Sequence, residues 1–170
     1  MLLFKHFCGL RVGEVAALRF DDVLDANGSI RDEMTLDAAR TKSKRARKIF
    51  LPKQMQRQLQ TYVSSVPRRP QHGYLFSTQK SARFSANTAK QHLQRLYARA
   101  GITGATSHSG RRTWWTTLSQ KGVSVFVLVD MVGHRSIQTT QRYVTVNDEM
   151  KRNAAELIYA TSIVPSSLRL

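Results

Sequence analysis

Cysteine is almost missing from this chain: Cys8 stands alone among 170 residues. An internal disulfide and a thiolate metal cluster are thereby excluded. The five histidines are scattered without ligand spacing. Long apolar runs are missing as well. No uncharged apolar stretch reaches 18 residues, whereas a membrane-spanning helix needs about 20. The opening Met-Leu-Leu-Phe is interrupted at once by Lys5 and His6, too early for a secretory signal. No association with a membrane is expected. Acidic residues are scarce, 11 Asp and Glu against 27 Lys and Arg. Internal repeats and low-complexity segments are also lacking.

The basic residues leave a formal charge of +16. Such an excess points to a polyanion, nucleic acid first, and its mixture with apolar residues places it on a folded surface rather than in a disordered arm. A chain of 170 residues is one ordinary domain, able to bury about two thirds of its unfolded surface. A cytoplasmic location is expected.

Taken in order, residues 1–8 read as the end of a helix stopped by Gly9, and Arg11 to Leu18 as a second helix with Val12, Val15, Ala16 and Leu18 inward. Arg11 and Glu14 are three apart, a spacing that by itself gives an ordinary surface ion pair. Asn27-Gly28 marks a turn, and short strands follow at 34–39 and 46–51. Between them lies a cationic tip, Arg40 to Arg45, containing Lys42, Lys44 and Arg45. Pro52 opens a helix with Met55, Leu59, Tyr62 and Val63 as its apolar stripe. Tyr74-Leu75-Phe76 is a short buried run, and Ser85 caps a helix that runs to about Ala100 with Lys90, Gln94, Arg95 and Arg99 on its polar face. Further helices are expected from Ser107 to Gln120, from Ser124 to Val132 and briefly from Ile137 to Tyr143. Trp114 and Trp115 read as core. A last helix, capped by Asn147, runs through Ala160, and residues 161–170 form a tail.

The last third carries the chemistry. His108 and Arg111 fall three apart at a helix start, where backbone N–H groups already favour an anion, and Arg112 follows them. Tyr143 lies nine residues after His134, across a turn that would let its phenol reach the same phosphate. Attack of a phenol on a phosphodiester exchanges one ester for another, so no ATP is needed. Arginines gripping the non-bridging oxygens would supply the charge. A phenol of ordinary pKa near 10 must shed its proton, and the departing alkoxide must receive one. His108 and Lys42 suit those tasks. No carboxylate cluster with Mg²⁺ spacing accompanies them, so side-chain cations are expected to stand in for a metal, and no cofactor is expected.

Gly9-Leu10-Arg11-Val12-Gly13-Glu14, Thr41-Lys42 before a basic strand, His108-Ser109-Gly110-Arg111, Gly133-His134 and Thr139-Thr140-Gln141-Arg142-Tyr143 together resemble the tyrosine recombinase (phage integrase) family. The order holds from about residue 3 to residue 160. The resemblance implies an α+β catalytic domain over residues 1–160, mainly α-helical, with a small antiparallel sheet of about three strands. It implies a site-specific DNA recombinase or integrase, found in bacteria or on mobile elements and associated with the nucleoid. Arg11 and Arg111 would clamp the phosphate, Lys42 would protonate the 5′ oxygen, and His108 would accept a proton. His134 would donate a further hydrogen bond, Glu14 would support the site, and Tyr143 would become the 3′-phosphotyrosyl ester. The partner implied is double-stranded DNA, met by Lys44, Arg45, Lys90, Arg95 and Arg112, with a monomer in isolation and a tetramer on DNA.

Two departures from the family pattern stand out. The family commonly has an N-terminal core-binding domain, and only ten residues precede Arg11, so a catalytic fragment or a reduced recombinase is expected. Gly110 stands where the family commonly has an apolar residue, which suggests a loosened helix start. Two other classes share some of these features: a type IB topoisomerase uses the same residue types, and a DNA-binding module could keep the fold without activity. Binding alone, however, needs no tyrosine.

Overall fold

The computed structural model describes residues 1–41, 43–66, 73–133, 146 and 148–160. Its first helix, α1 (Leu2–Phe7), is stopped by Gly9, whose φ of +61° is open to glycine at little cost. The turn is closed by Leu10 N–H donating to Phe4 C=O at 3.1 Å. Helices α2 (Val12–Ala16) and α3 (Phe20–Val23) follow directly. Strands β1 (Glu33–Leu36) and β2 (Arg47–Phe50) pair antiparallel with Glu33 opposite Phe50 and Leu36 opposite Arg47. Alternation puts Met34, Leu36 and Ile49 into the core and leaves Thr35, Lys48 and Phe50 outside.

The remainder is helical: α4 (Lys53–Ser65), α5 (Ala86–Arg99), α6 (Ser109–Gln120), α7 (Val125–Val132) and α8 (Asp148–Ala160). Ser85 caps α5, its hydroxyl accepting from Thr88 N–H at 3.0 Å, and Ser124 caps α7 in the same manner. The helix expected near Ile137 to Tyr143 and the cap at Asn147 lie outside the described residues. No described helix is long and apolar enough to cross a membrane.

The expected α+β class is the one the chain adopts. The sheet, however, has two strands among the described residues rather than about three. Tyr74 forms an isolated bridge to Arg19 and belongs to neither strand. The Gly73 C=O and the Leu75 N–H are taken by Phe20 and Leu18 at 2.8 Å each, so this run stitches the α2–α3 junction and does not extend the sheet.

Two apolar clusters result. The larger gathers Phe4, Leu10, Val15, Leu18, Val23, Leu36, Met55, Leu59 and Leu75 between α1–α4 and the sheet. The smaller joins Trp114 and Trp115 of α6 to Leu128 and Val132 of α7. Trp114 links them, since its indole N–H donates to Phe7 C=O at 3.0 Å while its ring lies against Gly9. A β-carbon at Gly9 would stand 2.7 Å from Trp114 Cε3, so position 9 requires glycine for space as well as for φ.

Candidate active site

The glycine turn between α1 and α2 positions the two arginines that the sequence singles out. Arg11 caps α2. Its backbone N–H donates to Glu14 Oε2 at 2.7 Å and its guanidinium to Glu14 Oε1 at 3.2 Å. The Arg-x-x-Glu spacing is therefore more than a surface ion pair: Glu14 is buried and fixes both ends of Arg11. Arg111 arrives from α6, a hundred residues later. It is buried, and its Nη1 donates to Gly9 C=O, two residues before Arg11. Two guanidiniums distant in sequence thus share one turn.

Glu14 has a second partner that the sequence does not announce. Arg47 of β2 donates through Nη1 and Nη2 to the two carboxylate oxygens at 3.1 and 2.7 Å, and both side chains are buried. Burial pushes the Glu14 carboxyl upward, but the hydrogen bonds and charge of Arg47, with those of Arg11, outweigh it and hold the group below its ordinary value. The only sequence signal was Arg47 lying inward by strand alternation. A buried charge of that kind needs a partner.

His108 is the N-cap of α6 and is exposed. Burial of part of the ring, then the charges of Lys5, Arg111, Arg112 and Lys90, lower its pKa from 6.5. The imidazole is therefore neutral at physiological pH, the form able to accept a proton. Gly110, read from sequence as loosening the helix start, has a packing role in the structure. It is buried, and a β-carbon there would come within 2.7 Å of His6 Cδ2 and Nε2 and 3.1 Å of Lys5 Cβ. Its missing side chain is what lets α1 approach α6. His6 in turn hydrogen-bonds the Tyr97 hydroxyl of α5 at 2.9 Å.

Lys42, His134 and Tyr143 lie outside the described residues. Their neighbours Ser43 and Gly133 are described. Gly133, in the left-handed conformation at the end of α7, faces Ser43 Oγ at 3.5 Å and Arg47 Cδ at 3.3 Å from the position a β-carbon would take. Lys44, Arg45, Lys90, Arg95 and Arg112 are all exposed. Arg40, part of the same cationic tip, is committed elsewhere: both its terminal nitrogens bond Asp22, at 2.7 and 2.8 Å. Among the described residues no group of three His, Cys, Asp or Glu side chains could hold a metal ion.

One corner of the fold thus holds a glycine turn presenting Arg11, a helix start presenting His-x-x-Arg, and a buried glutamate that binds Arg11 and Arg47. The sequence model of the phage integrase family matches residues 1–150. A tyrosine recombinase of Pseudothermotoga lettingae is 31% identical over 155 residues, which is 91% of this chain and 51% of that protein. Tyrosine recombinase XerA of Thermococcus kodakarensis is 28% identical over 92% of this chain and 53% of its own length. Among solved structures, the fold is shared with XerA recombinase (TM-score 0.71, 23% identity, 95% of this chain and 56% of that one). It is shared too with the Tn1549 transposon integrase in complex with a circular intermediate DNA (TM-score 0.70, 20% identity, 91% and 56%). The chain belongs to the phage integrase family, the tyrosine recombinases. It spans about half the length of the curated relatives it matches.

Proposed function

We propose that this chain is the catalytic part of a site-specific DNA recombinase that cuts and rejoins strands through a 3′-phosphotyrosyl intermediate, without metal or ATP. The observation that carries this reading is the arrival of buried Arg111 on the Gly9 carbonyl, beside Arg11. Two fixed guanidiniums suit the two non-bridging oxygens of one phosphodiester. In the proposed reaction the Tyr143 oxygen attacks phosphorus as the bond from phosphorus to the 5′ oxygen breaks. His108, kept neutral by partial burial and then by the surrounding cations, takes the phenolic proton, and Lys42 gives a proton to the departing 5′ oxygen. Arg11, Arg111 and His134 stabilise the charge on the pentacoordinate phosphorus, the largest share of catalysis in a site of this kind. One ester replaces another, so the reverse step rejoins the strand.

The substrate is duplex DNA, in keeping with the +16 charge and with the DNA-bound relative described above. Lys44, Arg45, Lys90, Arg95 and Arg112 would meet its backbone. Residues 1–160 form the catalytic unit and residues 161–170 a tail. The chain is a monomer alone and a tetramer on DNA, and it works in the cytoplasm at the nucleoid.

A 5′-bridging phosphorothiolate separates these roles, because sulfur departs without a proton. Lys42→Ala should cleave the normal oxygen ester poorly and the sulfur ester well, whereas Arg111→Ala should fail on both. Equal rescue of the two variants, or of neither, would contradict the assignment.

A further inference from the structure

Lysine is seldom fully buried without a counter-ion, yet Lys5 on α1 is 1% exposed. Its ammonium has three donors and makes one hydrogen bond among the described residues, to Leu10 C=O at 3.2 Å. The residue after Leu10 is Arg11, and the carbonyl before it, that of Gly9, receives Arg111. Two buried cations from different helices thus hold consecutive carbonyls of the turn that carries Arg11. Lys5 reaches this place because Gly110 has no side chain, its absent β-carbon falling 3.1 Å from Lys5 Cβ. For folding alone the arrangement is unfavourable, since one cation is enclosed beside others and, among the described residues, donates one hydrogen bond.

We infer that Lys5 is a positioning residue of the anion site: its ammonium fixes the Gly9-Leu10-Arg11 turn from beneath and adds a third positive charge behind Arg11 and Arg111. The inference rests on the proposed phosphate clamp. A bound dianion would offset the repulsion among the three cations, so the enclosed charge is tolerated in the free protein and used in the complex. Burial, and next the charge of Arg111, lower the Lys5 pKa to about 8, with Glu14 opposing. Other groups facing this corner are Arg11 from α2, Arg111, Arg112 and the neutral His108 from α6, Lys90 from α5, and His6 on α1, held below its ordinary value by burial. Guanidinium groups keep their proton in proteins and both histidines are held below their ordinary value, so Lys5 is the described group at this corner whose charge changes near pH 8.

Sulfate is the probe, because its charge is constant from pH 6.5 to 9.5. Calorimetric titration of the unaltered chain should show affinity falling about three- to tenfold as pH rises through 8, the size expected for one charge several ångströms from the ligand. Lys5→Met should bind sulfate weakly at pH 7 and lose that midpoint. Lys5→Arg should keep the affinity at pH 7 and also lose the midpoint. Lys5→Met should melt at a higher temperature than the parent at pH 7, with the gap closing above pH 8 as the parent's own lysine discharges. Should Lys5→Met fail to fold, the lysine ε-methylene signals of the unaltered chain give the same reading by NMR: sulfate must raise the Lys5 midpoint. Sulfate bound equally well by Lys5→Met with the midpoint intact, or a midpoint unmoved by sulfate, overturns the role of Lys5 alone. Sulfate affinity unchanged in Arg111→Ala overturns the clamp and the inference with it.

Discussion

At the scale of single residues, Gly110 and Glu14 show how far local pattern reaches. Replacing a glycine inside a helix by alanine ordinarily gains about 0.5–1 kcal/mol. At position 110 the added carbon meets the His6 ring and the Lys5 stem, and overpacking of that kind costs about 1–3 kcal/mol. Gly110→Ala should therefore be destabilising in urea melts, and His6→Ala in the same chain should recover part of the loss, a coupling that independent sites would not show. Glu14→Gln leaves Arg47 enclosed without its counter-charge, a loss of about 3–5 kcal/mol for a broken buried pair. Because the folded carboxyl titrates below its ordinary value of 4.5, its contribution is present above that pH and is lost as pH falls through the lower folded value. The melting-temperature gap between parent and Glu14→Gln should thus be full at pH 7 and shrink towards pH 3. The glutamate was legible from the motif Gly9 to Glu14 around it, not from its spacing to Arg11 alone, and its principal partner was not legible at all. Arg47 is 33 positions away, and only the folded sheet brings it near.

At the scale of elements, boundaries marked by Gly9, Ser85, Ser124 and Gly133 were readable because each position has a local chemical reason to end or start a helix. The resemblance implied about three strands where the described residues show two; the apolar run Tyr74-Leu75-Phe76 shows that a segment is buried, not which backbone it pairs with, and Tyr74 pairs with Arg19. The segment between β1 and β2 contains cations of two kinds. Arg40 is held by Asp22 and Asp37, whereas Lys44 and Arg45 are exposed. If the exposed pair meets DNA phosphates, removing either should make the slope of log affinity against log salt shallower by about 0.9. Arg40→Ala should leave the slope unchanged and lower the melting temperature instead. A slope altered by Arg40→Ala and untouched by Lys44→Ala would reverse this division. The Thr41 hydroxyl accepts from Arg45 N–H at 3.2 Å and lies 2.9 Å from its carbonyl oxygen, so it fixes the loop on either side of Lys42. If Lys42 is the general acid proposed above, Thr41→Val should reduce strand cleavage by up to about a hundredfold by misplacing it, with little change in the global melt.

At the scale of the molecule, the positive charge is general, while Arg11 and Arg111, the proposed clamp, meet at one turn. If about six phosphates are neutralised, log affinity for duplex DNA should fall against log salt with a slope of about −5, with little preference for sequence, because phosphate contacts position without specifying. Composition made a polyanionic partner legible, and the order of the motifs made the family legible. What composition and order could not convey is the enclosure of Lys5, which depends on the approach of two helices over Gly110. The central claim is that Tyr143 attacks a phosphate held by this corner. The most direct measurement is a denaturing gel of the chain incubated in EDTA with a pool of nicked suicide duplexes, followed by mass mapping of any peptide still linked to DNA. A 3′-linked adduct on Tyr143, absent from Tyr143→Phe, is the predicted result. No adduct, an adduct that survives Tyr143→Phe, or one that forms only with Mg²⁺ would contradict the account.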